Sequence, residues 1–269
     1  MSEKFQELGK ETVWKNRELE FSRVIQYVNE REKEDGGFSL VSELYPDVED
    51  TYYAIRTLQL LEIDINRTKT ANYLKTIHWT DVSFPRAVYR VVYLYLSAGI
   101  ELPNPLTNLL KKDWSRYQPL DVQYYFNEIG KLLNQSLSPV PPLSVLQFRP
   151  EDSLQGLHKK VSVLLDLNID FDRQEIIRWV HMCQNGDGGF GFYPETKTSY
   201  MENIYCALAV LSNLQSSPLR IDACREYILG CQTKSGGFGR APISFPFIES
   251  TFQAVAGLFM LDEMERGGA

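Results

Sequence analysis

Apolar residues recur along this chain in two alternating patterns. In the first, Phe21, Val24, Ile25 and Val28 follow i, i+3, i+4, i+7 spacing, as do Ile176, Trp179, Val180 and Cys183, and again Cys224, Tyr227, Ile228 and Cys231. That spacing lines one face of an α-helix and leaves the rest polar, so each run predicts a half-exposed helix. In the second, residues 202–214 (ENIYCALAVLSNL) and 249–261 (ESTFQAVAGLFML) are apolar nearly all round. A helix apolar on every side is buried on every side. Between the two patterns stands Gly-Gly-Phe, at 36–38, 188–190 and 236–238. The glycines permit a tight loop with positive φ, and the Phe predicts a plug for the core.

The repeated unit is larger than the tripeptide. Eleven or twelve residues after each Phe comes Glu49, Glu202 or Glu249. Three further on stands Tyr52, Tyr205 or Phe252, and two beyond that Ala54, Ala207 or Ala254. A composite unit seen three times predicts a repeat architecture. The clear repeats span about 21–62, 172–214 and 221–264, and weaker copies fill the gap. Residues 85–98 (PRAVYRVVYLYLSA), with Pro85 suited to a first turn, predict another buried helix. So do 120–134 and 151–166, with half-exposed partners at 67–77, 105–114 and 140–148. The tally is six inner and six outer helices at roughly 45 residues per pair, an all-α chain whose inner helices form a ring inside an outer ring. No composition break divides residues 1–269, so one domain is expected, with the Pro-rich stretch at 139–142 as a loop within the ring.

Charge and composition narrow the partners. The net charge is −7 with no basic block, which argues against nucleic acid. No run of about 18 apolar residues exists, so no transmembrane segment is expected. The N-terminus is charged and lacks an apolar core stretch, which predicts no cleaved leader and a cytoplasmic location. Cys183, Cys206, Cys224 and Cys231 all sit in apolar helical patterns and are expected to be buried free thiols.

The runs CQNGDGGFGF (183–192) and CQTKSGGFGR (231–240) resemble the repeat shared by protein prenyltransferase β subunits and terpenoid cyclases. The resemblance implies an (α/α)6 toroid, an isoprenoid or other apolar small molecule held in an aromatic-lined central cavity, and polar groups at the N-terminal ends of the inner helices. A prenyl chain needs a large apolar cavity, and aromatic faces stabilise a carbocation. The candidate wall is Tyr52, Tyr53, Tyr89, Tyr93, Tyr124, Tyr125, Tyr205 and Phe252. Each of these also fits an ordinary core position.

Two chemistries follow from the resemblance. Zinc prenyltransferases carry an Asp-x-Cys and a later His, because carboxylate, thiolate and imidazole complete most of the zinc tetrahedron. Those positions fall on Glu202, Ile204 and Ser250, and only the carboxylate survives. The Arg and Lys that hold diphosphate in the family fall on Thr196 and Ser199, and none of His78, His158 and His181 starts a fifth or sixth inner helix. Cys206 and Cys231 fit apolar positions better than a substitute metal pair. Zinc is therefore disfavoured and no metal site is predicted, although Mg would be compatible with a diphosphate substrate.

The second chemistry starts from Asp47-Val48-Glu49-Asp50-Thr51, which resembles the Asp-x-Asp-Asp-Thr motif of class II terpenoid cyclases. The resemblance implies Glu49 as general acid flanked by Asp47 and Asp50, because crowded, buried carboxylates raise one another's pKa. A plainer cause competes with it. Glu49 aligns with Glu202 and Glu249, and Glu151 reads as a fourth copy; acids in the first helical turn are favoured by the macrodipole. Three functions stay open: a cyclase-like enzyme; a prenyltransferase β-like protein, with or without a protein partner, holding diphosphate near Arg86, Lys197 or Arg240; and a non-catalytic toroid that binds a lipid, peptide or protein.

Overall fold

The computed structural model describes residues 18–41, 43–137 and 142–267. The N-terminal segment read for a leader, most of the Pro-rich stretch at 139–142 and the start of the expected helix at 140–148 lie outside them. Helices follow one another in outer–inner alternation: α1 (Glu18–Asn29), α2 (Val48–Leu60), α3 (Arg67–Leu74), α4 (Pro85–Ala98), α5 (Asn104–Leu110), α6 (Pro119–Leu133), α7 (Leu143–Leu146), α8 (Leu154–Asp166), α9 (Arg173–Met182), α10 (Met201–Asn213), α11 (Ile221–Gly230) and α12 (Ile248–Gly267). Each even-numbered helix packs against the next, and α12 packs back on α2, so the inner helices close a ring. No strand occurs among the described residues, only isolated bridges. The fold is the all-α toroid that the repeat pattern predicts.

The Gly-Gly-Phe loops explain how the repeats stack. Gly36, Gly188 and Gly236 have φ of 89°, 91° and 95°. A Cβ on Gly36 would stand 2.0 Å from the Lys69 carbonyl oxygen in α3, and one on Gly188 2.2 Å from that of Ala223 in α11. On Gly236 it would stand 2.2 Å from the carbonyl oxygen of Arg23 in α1. Each loop therefore presses on the backbone of the next outer helix, and the last loop presses on the first. Arg23 strengthens that closure, its Nη2 donating to the carbonyls of Lys234 (2.7 Å) and Thr233 (3.1 Å). Phe38, Phe190 and Phe238 plug the core, each contributing about 1.5–3 kcal/mol by burial. The amides of Phe38 and Phe238 donate to Thr51 Oγ1 and Thr251 Oγ1, both at 2.9 Å, which ties loop to inner helix.

The helices α10 and α12 are buried nearly all round, as their apolar runs predict. The four cysteines are free and buried, and burial pushes their thiols up to about 12. The middle of the chain departs from expectation. The pattern places an inner helix from 151, but α8 starts at Leu154, capped by Ser153 Oγ, which accepts from the Gly156 amide at 3.1 Å. Glu151 thus lies in the preceding turn and is not a helix-start acid. Asp152 turns back to Lys160 Nζ at 2.7 Å. The outer helices α5 and α7 are short, with 7 and 4 residues. Pro142 sets the start of α7, and Pro150 disfavours helical backbone in the residues before it. No described helix is long and apolar enough to cross a membrane.

Candidate functional site: an aromatic belt around a central cavity

Counting from the first residue of each inner helix gives the site its order. The second residues are Glu49, Arg86, Leu120, Gln155, Glu202 and Glu249. The fifth residues are Tyr52, Tyr89, Gln123, His158, Tyr205 and Phe252. Side chains one helical turn down from the start point into the ring, and there they meet. Tyr52, Tyr53, Phe252, Tyr205, His158, Tyr124, Tyr125 and Tyr89 form an unbroken circuit back to Tyr52, with neighbouring ring centroids 5.0–5.9 Å apart. The contacts are edge-on or tilted, the geometry that aromatic quadrupoles favour. Every inner helix contributes except that α6 supplies Tyr124 and Tyr125 in place of its fifth residue, Gln123.

The belt encircles a cavity of about 810 Å³, which runs from Arg86 and Glu249 near the helix starts to Leu132 and Arg266 near the helix ends. All the wall candidates named from the sequence line it, Tyr93 included. Burial pushes the phenols of Tyr53, Tyr89, Tyr124 and Tyr205 above their ordinary range, so they stay neutral. Sequence reasoning missed His158, whose helix start was misplaced by three residues; counted from Ser153, it falls in register with Tyr52 and Tyr205. Burial pushes its imidazole down to about 4, so it too is neutral. It is 7% exposed, lines the cavity and has no hydrogen-bond partner among the described residues.

Arg56 was also missed. It interrupts the otherwise apolar-faced run TYYAIRTLQLL, and that lone charge was the available signal. It lies one turn below Tyr52 on the cavity wall. Its Nη1 donates to the Tyr52 hydroxyl at 2.7 Å. Its guanidinium carbon is 4.6 Å from the ring centre of Phe252, 5.5 Å from that of Tyr93 and 5.6 Å from that of Tyr52. No carboxylate of the described residues pairs with it.

Charges at the mouth are arranged differently. Glu49 Oε1 accepts from Arg90 Nη2 at 2.6 Å, and Arg90 also donates to the Tyr53 hydroxyl at 3.1 Å. That hydroxyl donates to Glu249 Oε1 at 2.8 Å. Asp121 pairs with Lys159 at 2.6 Å, and Glu202 pairs with Arg240. Burial would push the Glu49 carboxyl up, but the hydrogen bond and charge of Arg90 outweigh it and hold it below the ordinary range. Asp47 is the N-cap of α2, its Oδ1 accepting from the Asp50 amide at 2.8 Å. Burial raises the Asp47 carboxyl, and burial together with the Asp47 charge pushes Asp50 up to about 6. None of the three acids lines the cavity. Glu249 does, and burial raises its carboxyl above the ordinary range. Among the basic candidates, Arg86 lines the cavity, Arg240 is held by Glu202, and Lys197 lies at a separate surface pocket with Asp187 and Glu195.

The positions where relatives would bind zinc do not form a ligand set. Glu202 is engaged by Arg240, Ile204 is buried apolar core, and Ser250 is buried off the cavity wall. Among the described residues, no three His, Cys, Asp or Glu side chains gather where an ion could sit.

No curated protein matches this sequence. Among solved structures, Candida albicans protein geranylgeranyltransferase-I complexed with GGPP matches at 16% identity, with a TM-score of 0.37, over 98% of this chain and 82% of that one. The family model for the prenyltransferase alpha-alpha toroid domain matches residues 5–96 and 153–267. The unmatched stretch between them holds the short helices α5 and α7 and the inner helix α6. With the ring closed by α12 on α2 and most of its sequence covered, the chain belongs to the prenyltransferase alpha-alpha toroid family.

Proposed function

We propose that this chain is a prenyltransferase-like toroid that takes an isoprenoid, or another elongated apolar molecule, lengthwise into its central cavity. The observation that carries this is the closed aromatic belt. Buried phenols, a neutral imidazole and Phe252 present a continuous apolar wall with polar edges, and a chain threaded through it exchanges water for aromatic faces on every side. Family membership supports the same class of ligand.

Proton-initiated cyclisation fits less well. Glu49 is held ionised by Arg90 and stands off the cavity wall, so it has no proton to offer a bound alkene. A carbocation formed at the belt would also lie near the Arg56 guanidinium. Like charges at short range in a half-buried site repel, which disfavours that transition state. A cyclase would have to use Glu249, the raised carboxyl that does face the cavity.

The test is a panel of farnesyl diphosphate, geranylgeranyl diphosphate, farnesol and squalene, read by native mass spectrometry for binding and by chromatography for products. One-to-one binding of at least one prenyl compound is expected, weakened about tenfold by Tyr205→Ala. No binding across the panel would overturn the proposal. A cyclised product that disappears in Glu249→Gln would replace it with the cyclase.

A further inference from the structure

A guanidinium carries five N–H donors and keeps its charge at any pH a protein survives. Arg56 engages the hydroxyls of Tyr52 and Tyr93, and no carboxylate of the described residues answers its charge. The other arginine of the inner helices that lies deep in the protein, Arg90, is neutralised by Glu49. Arg56 is half-buried on the cavity wall, and a charge kept there without an acid is placed to meet something that enters the cavity. Arg56 is the ninth residue of α2, so it sits about 12 Å along the helix from its start, beneath the belt rather than at the mouth. The groups that touch it are the rings of Tyr52, Tyr93 and Phe252, and Glu128, at a similar depth on the cavity wall, is paired with Lys131. His158, more than nine-tenths buried on the same cavity wall, adds a second polar group without a partner.

From these placements we infer that the cavity contains a deep anion site at Arg56, and that its ligand is an amphiphile whose phosphate or carboxylate end lies below the belt while its apolar chain extends back through the ring toward the mouth. This rests on the cavity taking an elongated ligand, and it adds the ligand's charge and its direction. Aromatic faces around the guanidinium shield it from water, which strengthens its grip on an anion and leaves the chain in contact with the belt. The imidazole of His158 offers one donor or acceptor to the ligand without changing its charge.

Matched probes separate the site from the cavity. Farnesyl monophosphate and farnesol form one pair, dodecanoate and dodecanol the other, each measured by calorimetry against the full chain. The wild type is expected to bind the anion of at least one pair about 10–100-fold more tightly than the alcohol; the pair that shows the preference tells phosphate from carboxylate. Arg56→Gln should bring anion and alcohol within about threefold, and Arg56→Lys should keep most of the preference. Circular dichroism of each variant checks that the ring is intact. A preference that survives Arg56→Gln but falls with Arg86→Gln would place the head group at the mouth and overturn the inference. Equal wild-type affinity for anion and alcohol would also overturn it, leaving the cavity reading standing. No binding of any probe would remove both.

Discussion

The mouth of the ring and the layer beneath it treat charge in opposite ways. At the mouth, Glu49 answers Arg90, Asp121 answers Lys159 and Glu202 answers Arg240. One to two turns deeper, Arg56 meets aromatic faces and the phenols of Tyr52 and Tyr93, and no acid. Folding alone would favour the reverse, because an ion pair near water is inexpensive and a half-buried charge without an acid is less so. The charges at the mouth are therefore arranged for stability, and the charge of the deep layer is not.

The largest break in this contrast is Glu49→Ala. Arg90 is 6% exposed in its side chain and would be left without its carboxylate. Because Glu49 itself is 41% exposed, the loss falls below that of a fully buried pair, at about 2 kcal/mol. Chemical denaturation should show it, together with a fall in Tm of about 4–8 °C. If stability is unchanged, the pair at the mouth has no structural role. Arg56→Met should do the opposite, raising stability by about 1 kcal/mol while abolishing any preference for anionic ligands. A destabilised variant would mean that Arg56 is held for packing.

Asp50 sharpens the contrast through pH. Its folded pKa of about 6 lies above the ordinary value of about 3.9, so the folded chain binds a proton more readily than the unfolded one. Its contribution therefore makes stability rise as pH falls from above 6 toward 4. Asp50→Asn should be more stable than the wild type at pH 7.5 and indistinguishable from it near pH 4. Glu49 has the reverse sign: its lowered pKa supplies stability that is lost on acidification below the ordinary glutamate range. A denaturation series across pH on both variants would detect a wrong sign. The smallest effect belongs to His158→Phe, which keeps the ring and removes only unpartnered nitrogens. Its stability should move by less than about 0.5 kcal/mol. A larger loss would reveal a hydrogen bond on the imidazole.

Much of the architecture was legible because it is periodic. The Gly-Gly-Phe loops, the all-round apolar α10 and α12 and the register of Glu49, Glu202 and Glu249 all follow from local spacing. The wall residues Tyr52, Tyr205 and Phe252 came with that register. What failed was local in another way. Pro and Ser shift helix starts by a few residues, which moved α8 to Leu154, took Glu151 out of the helix and hid His158 from the belt. The acidic motif misled because its partner, Arg90, lies 41 residues away on the neighbouring helix.

The chain's own periodicity determined that helices alternate between half-buried and fully buried, that glycines mark each return, and that aromatics recur one turn into the inner helices. These are one-dimensional properties, written at fixed spacings. Only the closed ring decided which charges meet. Whether a carboxyl keeps its proton, or a guanidinium finds an acid, depends on what stands within a few ångströms across helices far apart in sequence. Closure of α12 on α2 brought Glu249 to Tyr53 and Phe252 to Arg56. That assembly turned a row of core-like tyrosines into a belt and left one cation inside it without an answer.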